Sequence, residues 1–471
     1  MFKSGKLMMK QALWMALLIC VKATATGAAP QADELFAEKC ASCHGADLSG
    51  GMAGSLLDET WLVDGTTETL ARIISEGATA RGMPAWGNSL SPAEVRSLVI
   101  YIAEQRHNFH QDGQRDDTRS NVLTSMGHTF RIDTLHIADE ILWAVEYLPD
   151  GSMLVTRRDG ALLHISASGK LIEAVKGLPE IWHHVQGGLL DITLHPDYKN
   201  NGWIYLAYAS TKDGKKGNAK IARGKIKDGY WIEHQDIFEA DVTTHTDSGR
   251  HFGSRIIVHN GYVYFSTGDR GDRPSAQDLD SPNGKIFRLH ENGGIPEDNP
   301  FVDADNALPG IWSYGHRNPQ GMAIEANTGL IWETEHGPRG GDELNVIRRG
   351  INYGWPEITY GMNYDGTPIT HETAKEGMEQ PKHYWVPSIA PAGMAFYTGD
   401  MFTKWKDKLL VGGLGIQDLQ MYSVENGEVI SSDIILTDRG RIRDISVAPD
   451  GSILLVVTID GKGHILTLAA Q

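Results

Sequence analysis

The chain has 471 residues, with 60 acidic side chains against 43 lysines and arginines, and a formal charge of −17. Such an excess of acid repels nucleic acid and anionic lipid, so neither is expected as a partner. The length allows two or three domains, and three cysteines in all are too few for a disulfide framework to hold them together.

The first element in chain order reads as an export signal. Lys3, Lys6 and Lys10 precede an apolar run from Ala12 to Val21, and small residues follow as far as Thr26. The run is short for a bilayer span, so residues 1–26 are expected to be a signal peptide cleaved near Ala25, leaving a periplasmic protein without a transmembrane segment. A retained anchor is the rival reading, and bulky Ile19 argues against lipid attachment at Cys20. Without residues 1–26 the formal charge is −21, and only Cys40 and Cys43 remain of the cysteines.

Residues 27–106 read as a small all-α domain. Asp33 to Lys39 predicts a short helix running into Cys40. Ser91-Pro92-Ala93-Glu94 is a helix start, with Ser as N-cap, Pro in the first turn and Glu reaching back. The helix it opens carries Val95, Leu98, Val99 and Ile102 on one apolar stripe. Between the two lies Cys40-Ala41-Ser42-Cys43-His44, the C-x-x-C-H pattern of covalent haem c attachment. Two thiols at this spacing reach both vinyl groups of a haem, and the adjacent histidine becomes the proximal iron ligand. A dithiol redox pair or half of a zinc site are the alternatives, but there is no second cysteine pair. Met83, in Gly82-Met83-Pro84, is the expected distal ligand, ahead of Met52, which lies only eight residues after His44. The block as a whole resembles the small class I cytochromes c.

From Arg106 to Ser120 the sequence is polar, with little to bury, and residues 107–130 are expected to form a flexible linker. From residue 131 to 471 short strands alternate with turn signals. Pro149-Asp150-Gly151, Pro196-Asp197, Asn260-Gly261, Asn327-Thr328-Gly329, Thr398-Gly399-Asp400 and Pro449-Asp450-Gly451 mark six units. Their spacing suits four-stranded blades, so the expectation is an all-β six-bladed propeller.

Several polar groups recur near the ends of these units. Asn260-Gly261 predicts a two-residue hairpin turn. Pairing about it brings His251 within one residue of Asp269, and an imidazole oriented by a carboxylate suits a general base. Gly315 to Gly321 is a polar loop centred on Arg317 and Asn318. Glu335 to Glu343 is rich in glycine and acids, as an oxygen-ligand calcium site would be. Arg441 and Arg443 alternate on one strand face, where each can grip a carboxylate.

Taken in order, these motifs resemble the PQQ-dependent soluble glucose and aldose sugar dehydrogenases, a six-bladed family. The resemblance rests on Gln186-Gly187-Gly188, His251 with Gly253-Ser254-Arg255, Thr267-Gly268-Asp269, Gly315 to Gly321, Glu335 to Asn345, Asn352 to Pro356 and Arg441 to Asp444. It implies that His251 removes the hydroxyl proton at the anomeric carbon, with Asp269 orienting it, and that Arg317 stabilises charge on the quinone. Gln186, Asn318, Ser388, Arg441 and Arg443 would contact cofactor or substrate. The carbonyls of Gly337 and Pro338 would hold a Ca²⁺ beside PQQ, and Glu343 with the Tyr353 carbonyl would hold a second, structural one. The chain departs from the glucose enzymes at three places: Gly415 where they have lysine, Arg250 where they have an acid, and Ser388 where they have threonine.

The implied activity is oxidation of an aldose-type sugar to its lactone. Electrons would pass to the chain's own haem and then to an external acceptor. A binding propeller that tethers an electron-transfer haem, or a calcium-dependent propeller hydrolase, are the rival readings. Retained His251, Asp269 and Arg317 argue against the first, and the fused cytochrome against the second.

Overall fold

The computed structural model describes residues 30–58, 65–114 and 120–471. Residues 1–26, assigned above to the signal peptide, lie outside them.

The N-terminal region packs helices α1 (Ala32–Lys39), α2 (Ala41–His44), α3 (Thr67–Glu76) and α4 (Pro92–Gln114). The start of α4 is the expected capping box. The Ser91 backbone N–H and hydroxyl donate to Glu94 Oε2 at 2.7 and 2.8 Å, and the Glu94 N–H donates to Ser91 Oγ at 3.3 Å. Val95, Leu98, Val99 and Ile102 pack with Leu35, Phe36 and Ile74 in one buried cluster. Burying such a stripe supplies most of a helix's stability in a small domain.

The remainder is a ring of six antiparallel sheets. Blades 1 to 5 cover residues 142–174, 189–239, 256–314, 319–385 and 391–436, and each has four strands. Blade 6 has five: Arg441–Val447, Ile453–Ile459 and Lys462–Ala470 pair in sequence, then His128–Ala138 and Val122–Ser125 add to the outer side. Chain start and chain end of the propeller thus share one sheet, which closes the ring and removes two free edges. Each of the six turn signals falls between the first and second strands of a different blade.

The expected linker over 107–130 is corrected at both ends. Helix α4 continues to Gln114, and strands begin at Val122. Ala103-Glu104-Gln105-Arg106 are all good helix formers, so an established helix extends through them without an apolar stripe. At the other end, Val122 to Ser125 pairs with Thr129-bearing strand neighbours, where ladder hydrogen bonds stand in for burial.

The blades are pinned at the centre by a buried ionic hub. Arg255 Nη1 donates to Asp191 Oδ1 at 2.9 Å and to Asp444 Oδ1 at 2.8 Å. Asp191 accepts the Ile256 N–H, and Asp444 accepts the Val145 N–H. One guanidinium and two carboxylates therefore tie blades 1, 2, 3 and 6 at their inner strands.

Candidate active site and haem site

His251 lies in the loop leading into blade 3, and Asp269 lies just past that blade's second strand. The ladder pairs Ile256 with Phe265 and His259 with Tyr262, and beyond it the Ser254 N–H donates to the Ser266 carbonyl at 2.8 Å, so the two strand ends bring His251 and Asp269 together. Nδ1 of His251 is 2.6 Å from Asp269 Oδ1. Asp269 is fully buried, and its carboxylate also accepts the Gly271 N–H at 2.7 Å and the Trp355 indole N–H at 2.8 Å. Three donors on one carboxylate fix its position, and with Nδ1 protonated the Nε2 lone pair of His251 is left for substrate.

The backbone is shaped to present this ring. His251 has φ +51°, a left-handed conformation rare outside glycine, and Gln186 Oε1 accepts its N–H at 2.8 Å. Gly268 makes the approach possible, because a Cβ there would lie 2.2 Å from the His251 carbonyl oxygen. Burial lowers the His251 pKa below its ordinary 6.5, the Asp269 hydrogen bond opposes this, and the positive charges of Arg317 and Arg270 add to the lowering. Burial pulls Asp269 upward, but His251 and Arg317 hold it below the usual carboxylate value. The pair is therefore neutral imidazole and carboxylate at neutral pH, the state a general base requires.

Arg317 comes from the loop before blade 4. Its Nη1 donates to the carbonyls of His336 and Gly337 at 2.9 and 2.8 Å, and its guanidinium lies 5.4 Å from the Trp355 ring centre. Asn318 Oδ1 accepts the Gly253 N–H at 3.1 Å, so this side chain braces the His251 loop. His336 lies in the same region, and burial together with Arg317, His251 and Arg441 pushes its pKa down to about 3. Across the central opening, Arg443 Nε donates to Thr458 Oγ1 at 2.8 Å and its guanidinium faces the Trp143 ring at 5.0 Å. Burial and the nearby charges of Arg441 and Arg158 bring Arg443 down to about 9. A cluster of like charges of this kind suits a ligand carrying several carboxylates, and PQQ fits that donor set.

The Gly337–Pro338 loop is held from below by Asp342. This buried carboxylate accepts the Gly337 N–H at 2.8 Å, the Ser388 hydroxyl at 2.7 Å and the Ala390 N–H at 2.7 Å. A Cβ at Gly337 would lie 2.3 and 2.4 Å from the carbonyl oxygens of Gly341 and Gly340. Close packing therefore requires glycine here, and the Gly337 carbonyl, which accepts one bond from Arg317, keeps a second lone pair, a hard oxygen donor of the kind Ca²⁺ takes. Ser388 thus reaches the site through Asp342. Gly415, where the glucose enzymes carry lysine, has its N–H on the Ile389 carbonyl at 2.7 Å, and a Cβ would lie 3.0 Å from that oxygen. A side chain there would need the Ile389 backbone to give by a few tenths of an ångström.

Around the expected second calcium site, Glu343 does not stand alone. The Asn345 amide nitrogen is 3.2, 3.5 and 3.4 Å from carboxylate oxygens of Glu333, Glu335 and Glu343. His316, Glu333 and Glu335 bring one ligand atom each to within 4.8 Å of one another. The Tyr353 ring stacks on His316 with centroids 4.7 Å apart, and its hydroxyl donates to the Val346 carbonyl at 2.6 Å. Burial, and then the neighbouring Glu335 carboxylate, raise Glu333 and Glu343 well above the usual carboxylate range.

In the helical domain, Cys40 and Cys43 flank the first turn of α2. His44 Nδ1 is 3.3 Å from the Gly54 carbonyl, which fixes a tautomer with Nε2 free for iron, so the residues fit a haem. Burial and neighbouring Cys43 push the Cys40 thiol up to about 11. Met83 is partly buried against the domain core, whereas Met52 is 82% exposed. Sequence reading missed Trp355, Asp342 and His336. Trp355 and Asp342 act through partners distant in the chain, although the Trp355 indole next to Pro356 was a visible signal.

Comparison with known proteins agrees with this architecture. The family model for glucose/sorbosone dehydrogenase matches residues 139–467, and that for cytochrome c oxidase, cbb3-type, subunit III matches residues 27–102. Aldose sugar dehydrogenase YliI of Escherichia coli K12 is 40% identical over 359 residues, which span 75% of this chain and 96% of that protein. Quinoprotein glucose dehydrogenase B of Acinetobacter calcoaceticus is 26% identical over 420 residues, spanning 71% of this chain and 85% of that one. The crystal structure of the soluble aldose sugar dehydrogenase from E. coli in the apo-form superposes with a TM-score of 0.69 and 38% identity, over 73% of this chain and all of that one. The chain belongs to the glucose/sorbosone dehydrogenase family and carries a cytochrome c domain at its N-terminal end.

Proposed function

We propose that this chain is a periplasmic quinoprotein that oxidises an aldose-type sugar to its lactone and delivers the electrons to its own haem. The observation that carries the reading is the buried His251–Asp269 pair, 2.6 Å apart, beside the Arg317 guanidinium. When bound, PQQ supplies a two-electron hydride acceptor, Ca²⁺ at the Gly337 and Pro338 carbonyls a Lewis acid, and haem c a one-electron outlet. His251 Nε2 takes the proton from the hydroxyl of the substrate's anomeric carbon. Asp269 holds the Nδ1 proton and stabilises the imidazolium that forms. Arg317 places a fixed positive charge next to the reacting centre, where charge develops. Arg441 and Arg443 anchor carboxylates, and Gln186 fixes the His251 backbone. Cys40 and Cys43 carry the haem, with His44 and Met83 on the iron.

Export is supported by residues 1–26 and by the C-x-x-C-H motif. Among the described residues no helix is long and apolar enough to cross a membrane. Glu343 and the Tyr353 carbonyl are assigned to a structural calcium, with Glu333 and Glu335 adding acid nearby. Gly415 alone favours a second reading, a binding propeller without cofactor. One experiment separates the two: load the purified protein with PQQ and Ca²⁺, then screen aldoses and alcohols for reduction of the haem absorbance. Reduction by an aldose supports the dehydrogenase. No PQQ binding, with no reduction by any compound, supports the binding propeller.

A further inference from the structure

The loop from Glu335 to Asp342 has two faces. One face serves the site described above: the Gly337 carbonyl accepts from Arg317, and its N–H donates to Asp342. The other face carries the haem domain. Arg339 forks onto Glu104 of α4, with Nε 2.8 and 3.1 Å from the two carboxylate oxygens and Nη2 at 2.7 Å. Both side chains are largely buried at the seam, 25% and 19% exposed. One turn earlier on α4, Ile100 is fully buried against Ala32 and Met362, and its side chain is the nearest neighbour of Gly340, which has no Cβ to hold it off. One turn earlier again, Arg96 donates to the Thr370 carbonyl at 2.5 Å.

Arg96, Ile100 and Glu104 recur every four residues and so form one stripe of α4. That stripe is distinct from the one formed by Val95, Leu98, Val99 and Ile102, which closes the haem domain's own core. The helix therefore has two dedicated faces. A buried, forked arginine–carboxylate pair beside a fully buried isoleucine fixes orientation, as a polar tether would not.

We infer that α4 is the seat of the haem domain on the propeller, and that this seat and the cofactor site are thermodynamically coupled through the Glu335–Asp342 loop. The coupling rests on the reading that Gly337 and Pro338 hold calcium beside PQQ. Arg339 lies only two residues from Gly337, so a shift of the loop that favours loading is felt at the Arg339–Glu104 fork, and a shift that favours docking is felt at Gly337. Linkage requires the effect to be reciprocal: whatever factor docking adds to cofactor affinity, loading adds to docking.

The test uses the full-length, haem-loaded chain, with Ile100→Asp and Glu104→Arg combined and Glu104→Gln as a milder variant. PQQ affinity is measured at saturating Ca²⁺ by quenching of tryptophan fluorescence, domain separation by small-angle scattering, and hydrogen exchange follows residues 96–104. The expected result is an enlarged particle for the double variant and PQQ affinity lowered roughly fivefold or more, the low end of common coupling factors. The wild type should gain exchange protection on α4 when PQQ and Ca²⁺ are added. Unchanged PQQ affinity with the domains apart would overturn the coupling. Domains still together in the double variant would overturn the seat. Absence of PQQ binding to the wild type would overturn the cofactor reading itself, and the coupling with it.

Discussion

Cys40, Cys43 and His44 come from one short stretch of chain, whereas the groups around His251 are collected from blades 2, 3, 4 and 6. In the helical domain a five-residue motif is sufficient to specify the chemistry, because the thiols and the imidazole are neighbours before folding. In the propeller no segment contains the site. Gln186, Arg317 and Trp355 reach the His251–Asp269 hairpin pair only when neighbouring blades have packed against it. The first site should therefore respond to substitution one ligand at a time, and the second through a connected set of hydrogen bonds.

The sharpest break falls on the base. His251→Ala is expected to lower kcat by about 10²–10⁴, the usual worth of a positioned general base. PQQ binding should persist, as fluorescence quenching would show. Near-wild-type turnover with excess cofactor would remove His251 from the mechanism. In the helical domain, Cys40→Ala or Cys43→Ala should lose most covalent haem on a denaturing gel, and Met83→Ala should abolish the sulfur-to-iron band of the oxidised spectrum. Met52→Ala should retain it. The reverse pair of spectra would transfer the ligand role to Met52.

Trp355→Phe sharpens the contrast further. It removes one donor from the buried Asp269 carboxylate, and an unmade hydrogen bond of this kind costs about 1–3 kcal/mol. Turnover should fall roughly tenfold, the rate equivalent of about 1.4 kcal/mol, with KM little changed. A variant with unchanged kcat would show that Asp269 is held well enough by Gly271 and His251. The smallest effect is on pH. Because the His251 pKa is depressed, the base is deprotonated over most of the neutral range and is lost only as pH falls through that lowered value. The acid limb of kcat/KM should inflect below 6.5, the ordinary histidine value. An inflection above it would mean that Asp269 outweighs burial.

The same contrast describes what the sequence made legible. The six turn signals located the first hairpin of all six blades, because Gly, Asn, Asp and Pro act within a few residues of themselves. The His251–Asp269 pairing followed from one hairpin register. The capping box of α4 was readable for the same local reason. Trp355 was not, since its contact with Asp269 spans 86 residues of chain and depends on blade 4 packing against blade 3. Nor was the Arg255–Asp191–Asp444 hub, whose members read singly as ordinary strand charges. Residues 107–114 read as linker yet fold as helix, because composition alone does not distinguish a solvated helix from a coil. The docking stripe of α4 was hidden beside a more obvious apolar one.

Sugar oxidation and haem reduction are expected to occur within one molecule. Stopped-flow absorbance of the haem, in protein loaded with PQQ and Ca²⁺ and mixed with a saturating aldose, tests it most directly over a tenfold dilution of the protein. A docked haem domain predicts reduction at a rate independent of protein concentration, since the transfer is intramolecular. A rate that falls in proportion to dilution would show that electrons pass between molecules, and would contradict the account.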